Sequence, residues 1–307
     1  MSFSARMQSN HLYTVLLAPR GAVRMADCGM QIAQMYLSPF DLLIGIIGDA
    51  GSGKSMLVKG MFPGLELTND DEGVNVRPLP LLDLDDTGFF KPHTYHIDVR
   101  FELGFHQMFD LVEGINKALK MGRRVIVEHF DLIYPYLKVN ADLMIGVGDE
   151  ILITRPSVFG PEPQEIVDIV FPSIKYRKMA HTAEDLCEIC LKNIGIQDFQ
   201  HADVRQGFIL EFAEPNLFDL DELEREVNDL IEQDLGVSYH DAFHVNIGDT
   251  VHYCTGPRMH VKSTGQIQDF HVVKKMIQAP ITGKYQMVGL VGKETAAARL
   301  SDLNRLL

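Results

Sequence analysis

The chain has 307 residues, 46% hydrophobic and 23% charged, a balance that excludes disordered and fibrous classes and leaves room for two hydrophobic cores. Its net charge of -14 opposes indiscriminate binding to nucleic acid, and no apolar run approaches the roughly 20 residues that span a bilayer. Four scattered cysteines, Cys28, Cys187, Cys190 and Cys254, are too few for a disulfide framework and point to thiol or metal roles.

The opening "MSFSARMQSNHLYTVLLAPRG" lacks the long apolar core and cleavage site of a signal peptide, which predicts a cytoplasmic protein. Within residues 1–37, an N-terminal extension, a strand is expected over Tyr13–Ala18 and a short helix after it. Next comes "LLIGIIGDAGSGKSMLVKG". Leu42–Ile47 has the length of a buried strand, and the following helix stops at Pro63-Gly64. Between them Gly48, Asp49, Ala50, Gly51, Ser52, Gly53, Lys54 and Ser55 fit the G-x-x-x-x-G-K-S pattern. In such a loop the glycines let backbone N–H groups surround phosphates, Lys54 reaches the terminal phosphates, and the Ser55 hydroxyl ligates Mg²⁺. Nucleotide binding, as ATP with Mg²⁺, is the expectation.

A second apolar run, in "VRPLPLLDLDDTGFF", is expected as a strand ending at Asp83, Asp85 and Asp86, and a third, Val125–Val127, as one ending at Glu128. Acids at the ends of parallel strands face a nucleotide crevice. "FDLVEGINKALKMG" has helical spacing at Phe109, Val112, Ile115 and Leu119. His93 and His96 of "KPHTYHID" read as loop histidines, either solvated or touching substrate.

The succession from phosphate loop through "LDLDD" to "VIVE" resembles the uridine kinase and related small-molecule kinase family over roughly residues 38–170. The resemblance implies an α/β P-loop domain over 38–172 with a parallel sheet. It also implies that Asp85 or Asp86 takes a proton from a substrate hydroxyl and that Glu128 sits near Mg²⁺ and substrate. One departure stands out: between Asp131 and Ser173 the only arginine is Arg155 and the only lysine Lys138, where such kinases carry a lid with several arginines.

A boundary is expected near "FPSIKYRKM", after the Pro-containing "RPSVFGPEP". Beyond it the pattern predicts a helix, a turn, a strand and an amphipathic helix with Leu223, Val227, Leu230 and Ile231 on its buried face. Strands follow in "HVNIGDTVHYCTG", "STGQIQDFHVVKK" and "KYQMVGLVG", making an α+β unit. Cys187 and Cys190 form a C-x-x-C whose expected role is core packing. His240, His244 and His252 have ligand-like spacing if helical, and otherwise decorate the surface. From Cys254 onward eight Lys or Arg face three acids, a net +5 end on an acidic chain.

The collinear order of His181-Thr182-Ala183-Glu184-Asp185, Gln206-Gly207, "FDLDELEREVNDLI" and Cys254–Ile267 resembles the editing domain of alanyl-tRNA synthetase and its free-standing relatives, over about residues 178–300. The resemblance implies an editing-like domain over 173–307 with a Zn²⁺ site at His181, Asp185, Cys254 and His260. Asp185 stands where the family has a second histidine, and five residues rather than three separate Cys254 from His260, so the loop must bulge. An aminoacyl ester or tRNA would then be the partner, with no membrane involved. Three functions follow: ester hydrolysis beside a nucleotide-binding domain, a small-molecule kinase given specificity by its second half, or a nucleotide-gated binding module without catalysis.

Overall fold

The chain carries one α/β set of elements and one α+β set, in a computed structural model that describes residues 13–68, 79–82, 93–215 and 217–292. They belong to two compact units: residues 1–16 with 23–172, and residues 17–22 with 173–307.

In the first unit, in chain order, come β1 (Thr14–Leu17), α1 (Ala22–Tyr36), β2 (Leu43–Ile47), α2 (Lys54–Met61), β3 (Thr94–Asp98), α3 (Val99–Glu102), α4 (Met108–Lys120), β4 (Arg124–Glu128), α5 (Phe130–Leu137), β5 (Leu143–Val147) and β6 (Glu150–Thr154). Among the described residues the strands form a six-stranded sheet in the order β1-β6-β5-β2-β4-β3. β2 runs parallel to both β4 and β5, β3 runs parallel to β4, and β6 returns antiparallel to β5. Every residue of β2 is buried, as expected of an apolar strand covered on both faces at the centre of a parallel sheet. The core packs Leu43, Ile47, Ile97, Val125 and Val127 of the sheet against Leu111, Ile115 and Phe130 of the helices.

Two sequence expectations are corrected here. The run before Asp83 is not a strand: Leu79–Leu82 form a turn closed by the Leu82 N–H on the Leu79 carbonyl. Pro78 and Pro80 lack the N–H that a central strand needs, so the strand beside β4 is instead "TYHID", ending at Asp98. Asp83, Asp85 and Asp86 lie outside the described residues. On α4 the buried face is Leu111, Gly114, Ile115 and Ala118, and Phe109 is 72% exposed. Arg155 is not free for a lid, because its guanidinium grips both carboxylate oxygens of Asp41, at 2.6 and 2.9 Å, and the carbonyls of Asp142 and Tyr36.

The stretch expected as a boundary lies inside one helix, α6 (Pro163–Asn193), which contains Pro172 and contributes residues to each unit. The second unit continues with β7 (Gln200–Val204), β8 (Gly207–Phe212), α7 (Leu220–Glu232), β9 (Val237–Asp241), β10 (His244–Ile247), β11 (Thr250–Tyr253), β12 (His271–Val272), β13 (Ile277–Gln278) and β14 (Tyr285–Leu290). β7 and β8 form a hairpin through Arg205-Gln206, and the set β12-β14-β8-β7, with β13 also on β14, makes one antiparallel sheet. β11-β10-β9 make a second. "HDAFH" is thus the turn of a β-hairpin and not a helix, with His240 exposed and His244 half-buried on it. Asp219 caps α7 by accepting the N–H groups of Asp221 and Glu222, and Leu223 and Val227 are its buried residues. Cys187 and Cys190 lie in the core of this unit beside Phe208, Phe212 and Val227.

Candidate functional site

Each unit gathers ionisable side chains at one place, and the two places are built differently. In the first, β2 ends in the glycine-rich loop that opens α2. Gly53 precedes that helix at φ 90°, in the left-handed region that glycine adopts without strain. Lys54 is buried, and its Nζ donates to the Asp49 carbonyl at 2.9 Å. Burial pushes the Lys54 ammonium below its ordinary value, against the opposing pull of Glu128, Asp98, Asp49 and Asp131.

Glu128 is buried at the carboxyl end of β4, beside Asp98 at the end of the adjacent β3. His96 Nε2 lies 3.2 Å from Glu128 Oε1, and the Thr68 N–H donates to His96 Nδ1 at 3.2 Å, which fixes the imidazole. With Nδ1 accepting, Nε2 carries the proton and donates to the carboxylate. Burial raises the Glu128 carboxyl, but the His96 hydrogen bond and the Lys54 charge outweigh it and hold the net value below normal. His129, next in the chain at φ 57°, is driven down to about 4 by burial and by Lys54. Of the residues expected to act here, the structure brings together Lys54, Ser55 and Glu128, the Ser55 side chain hydrogen-bonding to Glu128. His96 and Asp98 join them, and the reading of His96 as a loop residue is corrected: it is a buried strand residue.

The second unit places His181 and Asp185 one turn apart on α6, facing Cys254 and His260 from the segment after β11. One ligand-type atom from each of the four lies within 4.8 Å of the others. His181 Nε2 is 3.1 Å from Cys254 Sγ, Cys254 Sγ is 3.8 Å from His260 Nε2, and His260 Nε2 is 2.8 Å from Asp185 Oδ2. The longer loop between Cys254 and His260 is taken up by a turn, Met259 N–H on the Gly256 carbonyl, and by the Thr182 hydroxyl, which accepts the Val261 N–H. A side chain at Gly256 would put its Cβ 3.1 Å from His181 Nε2, so glycine keeps that face of the imidazole clear.

The groups behind these four orient them. His260 Nδ1 lies 3.3 Å from the Pro257 carbonyl, and His181 Nδ1 lies 3.7 Å from Glu184 Oε2. Both imidazoles therefore turn Nε2 toward the cluster centre. Glu184 is itself held by Arg20 at 2.8 Å and His201 at 3.0 Å. Burial would raise Glu184, yet the Arg20 guanidinium, the His201 hydrogen bond and the nearby His181 ring hold it well below the usual carboxylate range. The Gly256 N–H points at Cys254 Sγ from 3.3 Å. Burial, then the Asp185 charge, push the Cys254 thiol up, so a thiolate needs a neighbouring cation.

Sequence reasoning missed His252 in this setting. The spacing groups it with His240, exposed on the hairpin, and His244, half-buried there, whereas His252 is buried near Asp185 and Glu188. The signal was the period of two in extended chain: His252 on β11 stands two residues before Cys254, whose N–H carries the pairing one residue past the strand to the Phe243 carbonyl. Among the described residues no helix is long and apolar enough to cross a membrane. No family model and no curated protein matches the chain.

Proposed function

We propose that the second unit is a metal-dependent hydrolytic centre of the kind its sequence resembles, acting on an aminoacyl ester such as the 3′ end of a mischarged tRNA, and that the first unit binds a nucleotide. The observation that carries the reading is the convergence of His181, Asp185, Cys254 and His260, from segments 73 and 75 residues apart, with imidazole nitrogens, a carboxylate oxygen and a sulfur aimed at one point. Ligand atoms about 2.0–2.3 Å from one tetrahedral zinc ion stand about 3.3–3.8 Å from one another, and the spacings here bracket that range. The donor set also fits zinc by type, and the carbonyl and carboxylate behind the two histidines match how metal-bound imidazoles are oriented.

Zinc would supply polarisation of the ester carbonyl. The chain's own groups do the rest. Arg20 holds Glu184, which orients His181, and Thr182 ties the Cys254–His260 loop to α6, so the site's geometry is set by buried contacts. Elemental analysis of purified protein tests the reading. Near-stoichiometric zinc is expected, lost in both His181→Ala and Cys254→Ala together with deacylation of aminoacyl-tRNA. Metal-free parent protein, after purification without chelator and incubation with zinc, would sink it.

A second reading, phosphoryl transfer by the first unit, is favoured by the gathering of Lys54, Ser55, Glu128 and Asp98 at the carboxyl ends of β2, β3 and β4. Lys54→Ala is expected to abolish binding of Mg²⁺-ATP in a fluorescent-nucleotide assay and to leave ester hydrolysis largely intact. The engagement of Arg155 by Asp41 supports nucleotide binding over rapid transfer, since it leaves that arginine unable to stabilise charge on a moving phosphoryl group.

A further inference from the structure

Beside the four-ligand cluster lies a second group, Asp185, Glu188 and His252, whose ligand-type atoms also fall within 4.8 Å of one another. Asp185 belongs to both, and its two carboxylate oxygens divide between them. Oδ2 faces His260 Nε2, while Oδ1 faces His252 Nε2 at 3.8 Å. His252 Nε2 also stands 3.6 Å from Glu188 Oε2. We propose that this group is a second divalent-cation site and that Asp185 bridges two ions, one through each oxygen. The proposal deepens the reading of the second unit as a metal centre and rests on it for the ion on Oδ2.

Three observations carry it. First, His252 is 4% exposed, and its Nε2 has no hydrogen-bond partner although two carboxylates flank it. A buried imidazole nitrogen beside carboxylates normally closes to a hydrogen bond of about 2.7–3.2 Å. The spacings of 3.6 and 3.8 Å are instead those of ligands sharing an ion, about 3.3–3.8 Å. Second, the backbone delivers the three groups in the way it delivers the first four. Asp185 and Glu188 are i, i+3 on α6, next to His181, and His252 on β11 stands two residues before Cys254, which follows the strand.

Third, charge favours it. Asp185 and Glu188 are both buried, and with both ionised two anions at one place out of water need a countercharge. Lys192 Nζ stands 3.2 Å from Glu188 Oε2, the oxygen that also faces His252, and His201 Nε2 lies 3.8 Å from Glu188 Oε1, so Glu188 is offset in part. A divalent cation between Asp185, Glu188 and His252 would neutralise the pair directly. The ligands differ from the first set in having no sulfur. Two carboxylates and one imidazole suit a harder ion such as Mn²⁺, or Zn²⁺ and Co²⁺ at lower selectivity.

That difference makes the sites separable by spectroscopy. Metal-stripped full-length protein is titrated with Co²⁺ while the near-ultraviolet thiolate-to-cobalt band and total bound metal are both followed. The expected result is a band that saturates at one equivalent while bound metal reaches two, with His252→Ala and Glu188→Gln each keeping the full band and holding one. Glu188→Gln is nearly isosteric, and circular dichroism of both variants checks that they are folded, so loss of the second equivalent reads as loss of ligands. One equivalent in the parent, with a full band unchanged in both variants, would overturn the second site and leave the first reading standing. One equivalent without a band, lost in His252→Ala, would support the second site and remove the first. No bound cobalt in the parent would remove both.

Discussion

Glu188 shows how one carboxylate's environment becomes a measurable property. In the metal-free protein, burial first and the charge of Asp185 second raise it from the model-peptide value of 4.5 to about 7. The folded state then holds a proton there that the unfolded chain has released. Its contribution to stability is complete below pH 4.5 and is lost as pH rises through about 7, an effect of about 3 kcal/mol at most. His252 acts oppositely, because burial lowers it to about 4 and folding there is favoured as pH rises toward 6.5. The two overlap, so the test is a difference. In chelator-treated protein, the stability of the parent minus that of Glu188→Gln, from urea unfolding, should fall by about 3 kcal/mol between pH 4.5 and 7. A flat difference would mean that Glu188 is solvated in the native protein. Cys254 and His181 were legible as ligand types from their places in a motif, but His252 was not, since its role depends on which strand face it occupies and not on its neighbours in sequence.

At the level of elements, legibility followed the strength of the local signal. β2 and β4 were readable because an uninterrupted branched apolar run has few alternatives to a buried strand. β3 was not. Its "TYHID" carries two polar side chains that become buried only because Glu128 and Thr68 satisfy His96 and the Asp98 N–H, partners 28 to 32 residues away. The competing run at Leu79–Leu82 is more apolar but has prolines on either side of Leu79. On α7 the apolar spacing announced the helix but not its cap, and there the energy can be checked. Asp219→Ala removes an acceptor serving two N–H groups and should cost about 1 kcal/mol of stability in the second unit, read by thermal melting with the metal content held fixed. Asp219→Asn should recover most of it.

For the whole molecule, the division into two units with separate clusters predicts separable responses to ligand. Differential scanning calorimetry should show one transition that moves up with Mg²⁺-ATP and another that moves down with a zinc chelator, each in the absence of the other's effect. A single transition shifted by both would mean that the units unfold together. The units divide between Pro172 and Ser173, inside α6 and within the stretch expected as a boundary; no glycine- or serine-rich linker marks it, only the Pro-containing segment before the helix. The register of β11 has one more consequence. His252 points inward, and its neighbours Val251 and Tyr253 point outward and are about half exposed. A deletion or insertion of a single codon in the Gly248-Asp249 turn would therefore offer a valine or a tyrosine where an imidazole stands. Descendants of this sequence should accept many substitutions around that turn and few changes in its length.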